Sequence, residues 1–366
     1  MRVDFVRLLL LLVACLGRAV SAWAADPLPV GFETREFVDE ARSNWQNSGH
    51  RPLSTVIWYP ASAGSPLTAP QIGNPAWRPY FVQTAFAVEA PVSTQAPRYP
   101  LVLLSHGSTS VNLSLAWLGA YLAAHGYIAA AVNHHGNTGA EEQLLSQGFM
   151  APWERAGDLS ALLDRMLADP KFGAHIDQSR VFAAGHSAGG ATVIMLAGGQ
   201  FSGDEMGKFC NSAAADAGCG SRELLEKALA DLEKLRAHDP AMQASLARAA
   251  RSYRDERIRA VVAMAPAVGP AFTEATLRAV KTPVFIVTAK DDAVTPPATN
   301  SLRFARFIPD ARLLTVPGNA NHFTFGSECT DEGRRALEPC RDGAGLDRAQ
   351  VHELIAERVL KFFSEP

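Results

Sequence analysis

The run Val181–Gly190, VFAAGHSAGG, constrains the fold of this chain more than any other stretch. Four apolar residues, Val181–Ala184, lead into Gly185-His186-Ser187-Ala188-Gly189, a G-x-S-x-G, and Gly190 and Ala191 begin a helical pattern. A strand that ends in so sharp a turn needs glycines on both sides of the serine, because a Cβ there would collide with neighbouring backbone. The helix that follows aims the positive end of its dipole at Ser187. This strand–turn–helix places a serine hydroxyl where a nucleophile belongs. It has chemical meaning only if a base, an acid and an oxyanion hole lie elsewhere in the chain at fitting positions.

The flanking pattern suits it. Pro29–Phe37 and Leu53–Tyr59 are strand-like runs, followed by a Pro- and Ala-rich connection from Ala61 to Arg98 carrying Trp77, Tyr80, Phe81 and Phe86. That connection is expected to wrap the surface and to help form the pocket wall. From Pro100 onward strands and helices alternate. Strands are expected at Leu101–Leu104, Tyr127–Val132, Val181–Ala184, Ala260–Met264, Pro283–Val287 and Leu313–Val316. Helices are expected at Leu113–Ala124, Trp153–Leu167, Ala191–Ala197, Ala298–Phe307 and Val351–Phe363, the last capped by Asp347. Alternating βα units imply an α/β fold: a mostly parallel sheet covered by helices on both faces. One insertion interrupts the pattern, Phe201–Arg257. Its first helix carries a stripe of Leu224, Leu225, Ala228, Leu229, Leu232 and Leu235, and Asp239-Pro240 opens a second. An insertion after the elbow helix reads as a helical cap over the site; the alternative is a surface excursion.

Residues 1–24 read as a signal peptide: Arg2 and Arg7, an apolar Leu8–Leu16 too short to span a bilayer, and a small-residue cleavage site at Ala22-Trp23-Ala24. Residues 25–366 then form the folded domain of an exported protein, periplasmic or secreted. A rival reading takes Leu12-Val13-Ala14-Cys15 as a lipobox, which would make the protein a lipoprotein anchored at Cys15. Cys210, Cys219, Cys329 and Cys340 remain, and four cysteines allow three pairings. The short separations favour Cys210–Cys219 and Cys329–Cys340, and an oxidising destination favours bridges over thiols. No C-x-x-C spacing points to zinc, and no stable membrane span is expected. At 366 residues with a net charge of −3, the chain has room for a large core and lacks the basic footprint of a nucleic-acid binder.

The partners of Ser187 follow from strand order. Directly after the strand Pro283–Val287 comes Thr288-Ala289-Lys290-Asp291-Asp292-Ala293-Val294-Thr295-Pro296. A carboxylate there lies on the same sheet edge as the elbow. The acid is assigned to Asp292, four residues before Pro296, with Asp291 the alternative. Thirty residues later, past the last strand, Gly318-Asn319-Ala320-Asn321-His322-Phe323 supplies His322 as base. The oxyanion hole is assigned to the backbone N–H groups of Ala188 and Ser108, the latter from Leu104-Ser105-His106-Gly107-Ser108-Thr109. His106 reads as a loop-fixing residue beside the pocket. His134 and His135 also follow a strand and are candidates to line the pocket; as adjacent residues they point apart, so a metal role is not expected. Trp153, Arg155 and Asp158 read as structural.

The order Ser187, Asp292, His322 is that of the α/β-hydrolases. Through VGF, RPLSTVIWYP, LLSHGS, NHHGNTG, GHSAGG, AKDDAVTP, NHFTF and the segment of Cys329 and Cys340, the chain resembles secreted bacterial α/β-hydrolases called predicted dienelactone hydrolases, related to platelet-activating-factor acetylhydrolases. The resemblance runs from about Pro29 to Phe363. It implies Ser187 as nucleophile, Asp292 as acid, His322 as base and Ser108 in the oxyanion hole. True dienelactone hydrolases use a cysteine nucleophile, so Ser187 favours ordinary esters over lactones. Asn133-His134-His135-Gly136 stands where relatives often carry Asp-His-Pro-Gly. The expectation is a serine carboxylic-ester hydrolase acting on a small-molecule ester without a cofactor. Alternatives are a lipase or phospholipase, a polyester or phthalate-ester hydrolase, a peptidase or amidase, and a non-catalytic binding protein that keeps the fold.

Overall fold

The computed structural model describes residues 28–70, 75–76, 78–220 and 222–365, with the side chains of Arg222, Leu224, Leu225 and Ala228 left aside. The expected leader and the cysteine of the lipobox reading, Cys15, lie outside the described residues, as does Trp77.

Among the described residues, nine strands form one sheet in the order β3-β1-β2-β5-β4-β6-β7-β8-β9. The strands are β1 Val30–Ser43, β2 His50–Pro60, β3 Ala87–Val88, β4 Tyr99–Ser105, β5 Ile128–Val132, β6 Ile176–His186, β7 Ile258–Met264, β8 Val284–Ala289 and β9 Arg312–Val316. β2 runs antiparallel to both β1 and β5, and the strands from β5 through β9 are parallel. Every strand read from the sequence is present. β1 and β2 are longer than expected because their outer halves form a hairpin arm whose residues alternate between exposed and buried. The two-residue β3 gave no run long enough to read.

Alternation along the central strands feeds two cores. Leu101, Leu103, Val181, Ala183, Val261 and Ala263 face one side, under the helices Trp153–Ala168 and Ala188–Leu196. Val102, Leu104, Phe182, Ala184, Val262 and Met264 face the other, under the helices Ala116–Ala124 and Arg348–Ser364. Burial on both faces is why these strands read as continuous apolar runs. Asp347 caps the last helix as expected, accepting from the amides of Ala349 and Gln350.

The chain leaves β4 for β5 on one side and returns to β6 on the other. The crevice beyond the carboxyl ends of β4 and β6 is therefore a topological switch point, where α/β sheets bind ligands. The loops after β4, β6, β8 and β9 all open onto that edge.

The insertion forms the helices Gly203–Cys210, Arg222–His238 and Pro240–Leu246, and Asp239 caps the third by accepting from Met242 N–H. Leu232 and Leu235 pack on the core, whereas Leu229 is 50% exposed, so the expected stripe is buried only in part. Cys210 is bonded to Cys219 and Cys329 to Cys340. No helix among the described residues is long and apolar enough to cross a membrane.

A buried charge cluster joins the hairpin arm to the site edge. Asp158, without solvent contact, accepts from Arg51 Nε at 2.6 Å, Arg42 Nη2 at 2.7 Å and His134 Nδ1 at 2.9 Å. Burial pushes its carboxyl up, but Arg51, Arg42 and His134 outweigh that and hold it well below the usual carboxylate range.

Three histidines at this edge are held neutral, chiefly by burial. His134 and His186 are pulled down to about 3, and His106 falls well below its ordinary value. The unfolded chain protonates these rings near pH 6.5, whereas the folded chain resists to far lower pH. The stability they contribute is complete above pH 6.5 and declines as pH falls towards 3. Each ring costs about 1.4 kcal/mol per pH unit in that window. Urea midpoints should therefore drop sharply between pH 7 and pH 5, and a flat profile over that interval would contradict the buried neutral assignment.

Candidate active site

Ser187 sits between β6 and the helix Ala188–Leu196 with φ 57° and ψ −119°, a left-handed conformation that costs a non-glycine residue free energy. Beside the helix-opening bond from Ala191, two backbone bonds pin it: Ser187 N–H donates to the Met264 carbonyl at 2.9 Å, and Ala267 N–H donates to the Ser187 carbonyl at 3.0 Å. The glycines of the motif are required by contact. A Cβ at Gly185 would lie 2.2 Å from the Gly189 carbonyl oxygen, and one at Gly189 would lie 2.0 Å from that of Ser105.

The structure brings Ser187, His322 and Asp292 into one hydrogen-bonded line. Ser187 Oγ lies 2.9 Å from His322 Nε2, and His322 Nδ1 lies 2.8 Å from Asp292 Oδ2. All three residues are buried. Asp292 Oδ1 accepts from the amides of Val294 and Thr295, at 2.9 and 2.7 Å, and Oδ2 accepts from the Thr295 hydroxyl at 2.8 Å. Burial pushes the Asp292 carboxyl up, yet the bonds from His322 and Thr295 prevail and keep it below its ordinary value. An ionised Asp292 fixes the proton on Nδ1 of His322 and leaves Nε2 free to accept from the serine hydroxyl. Asp291 is exposed and makes no such bond.

The loop after β4 approaches the elbow closely: a Cβ on Gly107 would lie 3.3 Å from the Ser187 Cβ. Neither Ser108 N–H nor Ala188 N–H donates to any group among the described residues. His106 Nδ1–H donates to the Gly107 carbonyl at 2.6 Å, while its Nε2 accepts from His134 N–H at 3.1 Å. In a trans peptide the C=O and N–H point in opposite directions. Holding the Gly107 carbonyl therefore aims the Ser108 N–H the other way. Asn137 secures the same loop, its Oδ1 accepting from Thr109 N–H at 2.7 Å and from Ser108 Oγ at 3.0 Å.

The expected pocket histidines are framework instead. His134 is wholly buried, with Nδ1 on Asp158 and Nε2 accepting from Ser105 Oγ at 2.9 Å. His135 accepts from Trp45 N–H at 3.1 Å and donates from Nδ1 to Glu141 at 2.8 Å. With His106 likewise satisfied on both nitrogens, none of the three has a ring nitrogen left for a ligand.

Several supporting residues carried no signal of their own in the sequence. His186, inside the motif, donates from Nε2 to the His322 carbonyl at 2.9 Å and so ties the base loop to the elbow. Thr295 and Asn137 were visible only as neighbours of named residues. Asn321 did have a signal: N-x-x-T is a capping box, and Asn321 and Thr324 make one at the short 3₁₀ turn His322–Phe325. No group of His, Cys, Asp and Glu able to hold a metal ion is present among the described residues.

Residues 101–332 match the alpha/beta hydrolase family. Cutinase est1 of Thermobifida alba is 36% identical over 101 residues, 27% of this chain and 30% of that protein. Cutinase 2 of Thermobifida cellulosilytica is 35% identical over 101 residues, 34% of its own length. The chain thus spans about a third of the curated relatives it matches. A ferulic acid esterase from Streptomyces cinnamoneus superposes with a TM-score of 0.63 at 23% identity, covering 93% of this chain and 91% of that one, a likeness of fold.

Gly189→Ala tests the tight contact at the turn. With backbone rather than a flexible side chain in the way, the variant should lose about 3 kcal/mol of stability, read by urea unfolding. A Gly207→Ala control, where a Cβ meets nothing within 4 Å, should not lose stability.

Proposed function

The chain belongs to the alpha/beta hydrolase family, and from that premise we propose that it is a serine carboxylic-ester hydrolase working through an acyl-enzyme. The observation that carries this reading is the unbroken line from Ser187 Oγ through His322 to Asp292, at 2.9 and 2.8 Å.

His322 Nε2 takes the hydroxyl proton as Ser187 Oγ bonds to the ester carbonyl carbon. Asp292 stabilises the imidazolium that forms. The carbonyl oxygen, now negative, lies against the N–H groups of Ser108 and Ala188, both without other acceptors. As the tetrahedral intermediate collapses, the C–O bond to the alcohol breaks and His322 returns the proton to the leaving oxygen. A water molecule deprotonated by His322 then attacks the acyl carbon, and Ser187 leaves with the proton, releasing the acid. Each step uses this chain's side chains and water.

Small or short-chain esters are the proposed substrates. Relatives named cutinases and a structural neighbour titled ferulic acid esterase favour an ester over an amide, and they keep a polyester hydrolase as the second reading. Within the family we place the chain beside the secreted dienelactone hydrolase and platelet-activating-factor acetylhydrolase relatives it resembles, with Ser187 turning it from lactones to open esters. The two disulfides fit export to an oxidising space. The insertion 201–257 acts as a cap at one side of the cleft. In support, Gln147 donates to Asp239, Trp153 Nε1 to Ser245 and Thr299 to Asp216, all on segments that follow the carboxyl ends of strands.

Purified protein assayed on p-nitrophenyl esters of increasing chain length tests the reading. Turnover should be greatest on short acyl chains. Ser187→Ala should lower kcat by roughly 10⁵-fold and Asp292→Asn by roughly 10⁴-fold. A fluorophosphonate should label Ser187 and no other residue. A protein that neither turns over these esters nor takes the label is not a serine esterase. Activity that rises only above the substrate's solubility limit would assign it to the lipases.

A further inference from the structure

Arg155 is a fully buried guanidinium beside the site, and its contacts join the two halves of the oxyanion hole. It lies in the first turn of the helix Trp153–Ala168, which stands at the carboxyl edge of the sheet. Its Nη2 donates to the carbonyl of His106, in the peptide just before Gly107 and Ser108. Its Nε donates to Thr192 Oγ1 at 3.2 Å, and Thr192 Oγ1 donates to the Ala188 carbonyl at 2.8 Å. One side chain therefore holds the loop that carries the Ser108 N–H and, through Thr192, the first turn of the helix that carries the Ala188 N–H.

The same two pieces of backbone meet directly. A Cβ on Gly189 would lie 2.0 Å from the Ser105 carbonyl oxygen and 2.8 Å from that of His106, so the elbow turn rests on the His106 carbonyl that Arg155 bonds and on its neighbour. The guanidinium makes no ion pair among the described residues, and its Nη1 is buried without a hydrogen-bond partner. Burial pulls it down to about 9, with Arg51 adding to that and Asp158 opposing, so it remains charged at neutral pH. A full positive charge lacking a bonded carboxylate is costly inside a protein. It is less costly where negative charge develops nearby during reaction.

We infer that Arg155 is the positioning residue of the oxyanion hole, setting the spacing between the Ser108 and Ala188 amides and lending a fixed positive charge behind them. The inference rests on the ester-hydrolase reading above. Arg155 touches no substrate; it acts through His106 and Thr192. Its effect falls on the transition state, because the oxyanion exists only there, so kcat and kcat/KM should fall together while KM stays.

The test compares R155M, R155K and T192V with wild type and with R165M, a control on the same helix at a half-exposed arginine paired with Glu40. On p-nitrophenyl acetate, R155M should lower kcat by roughly 10- to 100-fold with KM within about twofold, less than the loss of a whole donor. A trifluoromethyl ketone, whose adduct with Ser187 carries the oxyanion, should bind more weakly by the same factor. R155K should recover part of the loss, since an ammonium keeps the charge and reaches one acceptor. T192V should lower kcat in the same direction by less, and R165M should match wild type. Melting curves accompany each variant, and if R155M does not fold, R155K and T192V decide. Unchanged kcat in T192V and R155K overturns the inference, as does a loss confined to KM; in both cases an inactive Ser187→Ala leaves the esterase reading standing. A wild-type protein with no turnover and no fluorophosphonate label overturns both.

Discussion

The structure depends on one steric constraint, the contact of the Gly189 backbone with the Ser105 carbonyl. Ser187 can adopt its left-handed conformation only if the chain turns at once into a helix, and that helix starts so close to the end of β4 that no Cβ fits. The strained φ costs of order 1–3 kcal/mol, and the bonds to Met264 and from Ala267 hold it in place. Because β4 and β6 are neighbours at the point where the strand order reverses, the same contact brings the loop bearing Ser108 against the turn bearing Ala188. The fold thus brings the nucleophile and both candidate oxyanion donors together through backbone contacts, which the side chains of His106, Asn137 and Arg155 then hold in place. Only the acid and base must be brought in from farther along the chain.

That division explains what was legible in the sequence. The central parallel strands are buried on both faces and read as apolar runs, the edge strand β9 still carries Leu313, Leu314 and Val316, and Ser187, Asp292 and His322 each follow such a run, so their shared edge could be inferred from order. Asp292 and Asp291 could not be separated by composition. The structure separates them because only Asp292 faces Thr295 and His322. The cluster around Asp158 was not legible, since Arg51 lies 107 positions away and Arg42 116, and nothing local marks them as partners. His134 and His135 misled for a related reason. A histidine after a strand points to a pocket only if its ring nitrogens are free, and theirs are taken up by Asp158, Ser105, Trp45 and Glu141.

The Asp158 cluster also shows how the antiparallel hairpin arm takes part in the site without reaching it. A carboxylate buried this deeply is tolerable only with its oxygens fully bonded, and Arg51, Arg42 and His134 do this from three different segments. His134 passes the constraint on by accepting from Ser105 Oγ at the end of β4, and its own N–H donates to His106. His106 in turn holds the Gly107 carbonyl that orients the Ser108 peptide. Charge on the arm is therefore connected, bond by bond, to the direction of one amide in the oxyanion loop.

The base poses the opposite problem, because His322 comes from a loop after β9, an edge strand with only Val316 fully buried. Loops are mobile unless tied down, and proton transfer needs His322 Nε2 to stay within hydrogen-bond reach of Ser187 Oγ. The chain beyond the loop supplies the restraint. Thr324 donates to Asp342, Asp342 accepts from Arg348 at 2.8 Å, and Arg348 also donates to the Ser327 and Pro339 carbonyls. His352, from the last helix, donates to the Thr324 carbonyl at 2.8 Å, and the Cys329–Cys340 bridge closes the segment between. From the other side, His186, a ring kept neutral by burial beneath the elbow, donates to the His322 carbonyl. The final helix and its disulfide-closed approach thus have a role beyond covering the sheet: they give a loop residue the fixity that Ser187 and Asp292 draw from their strands.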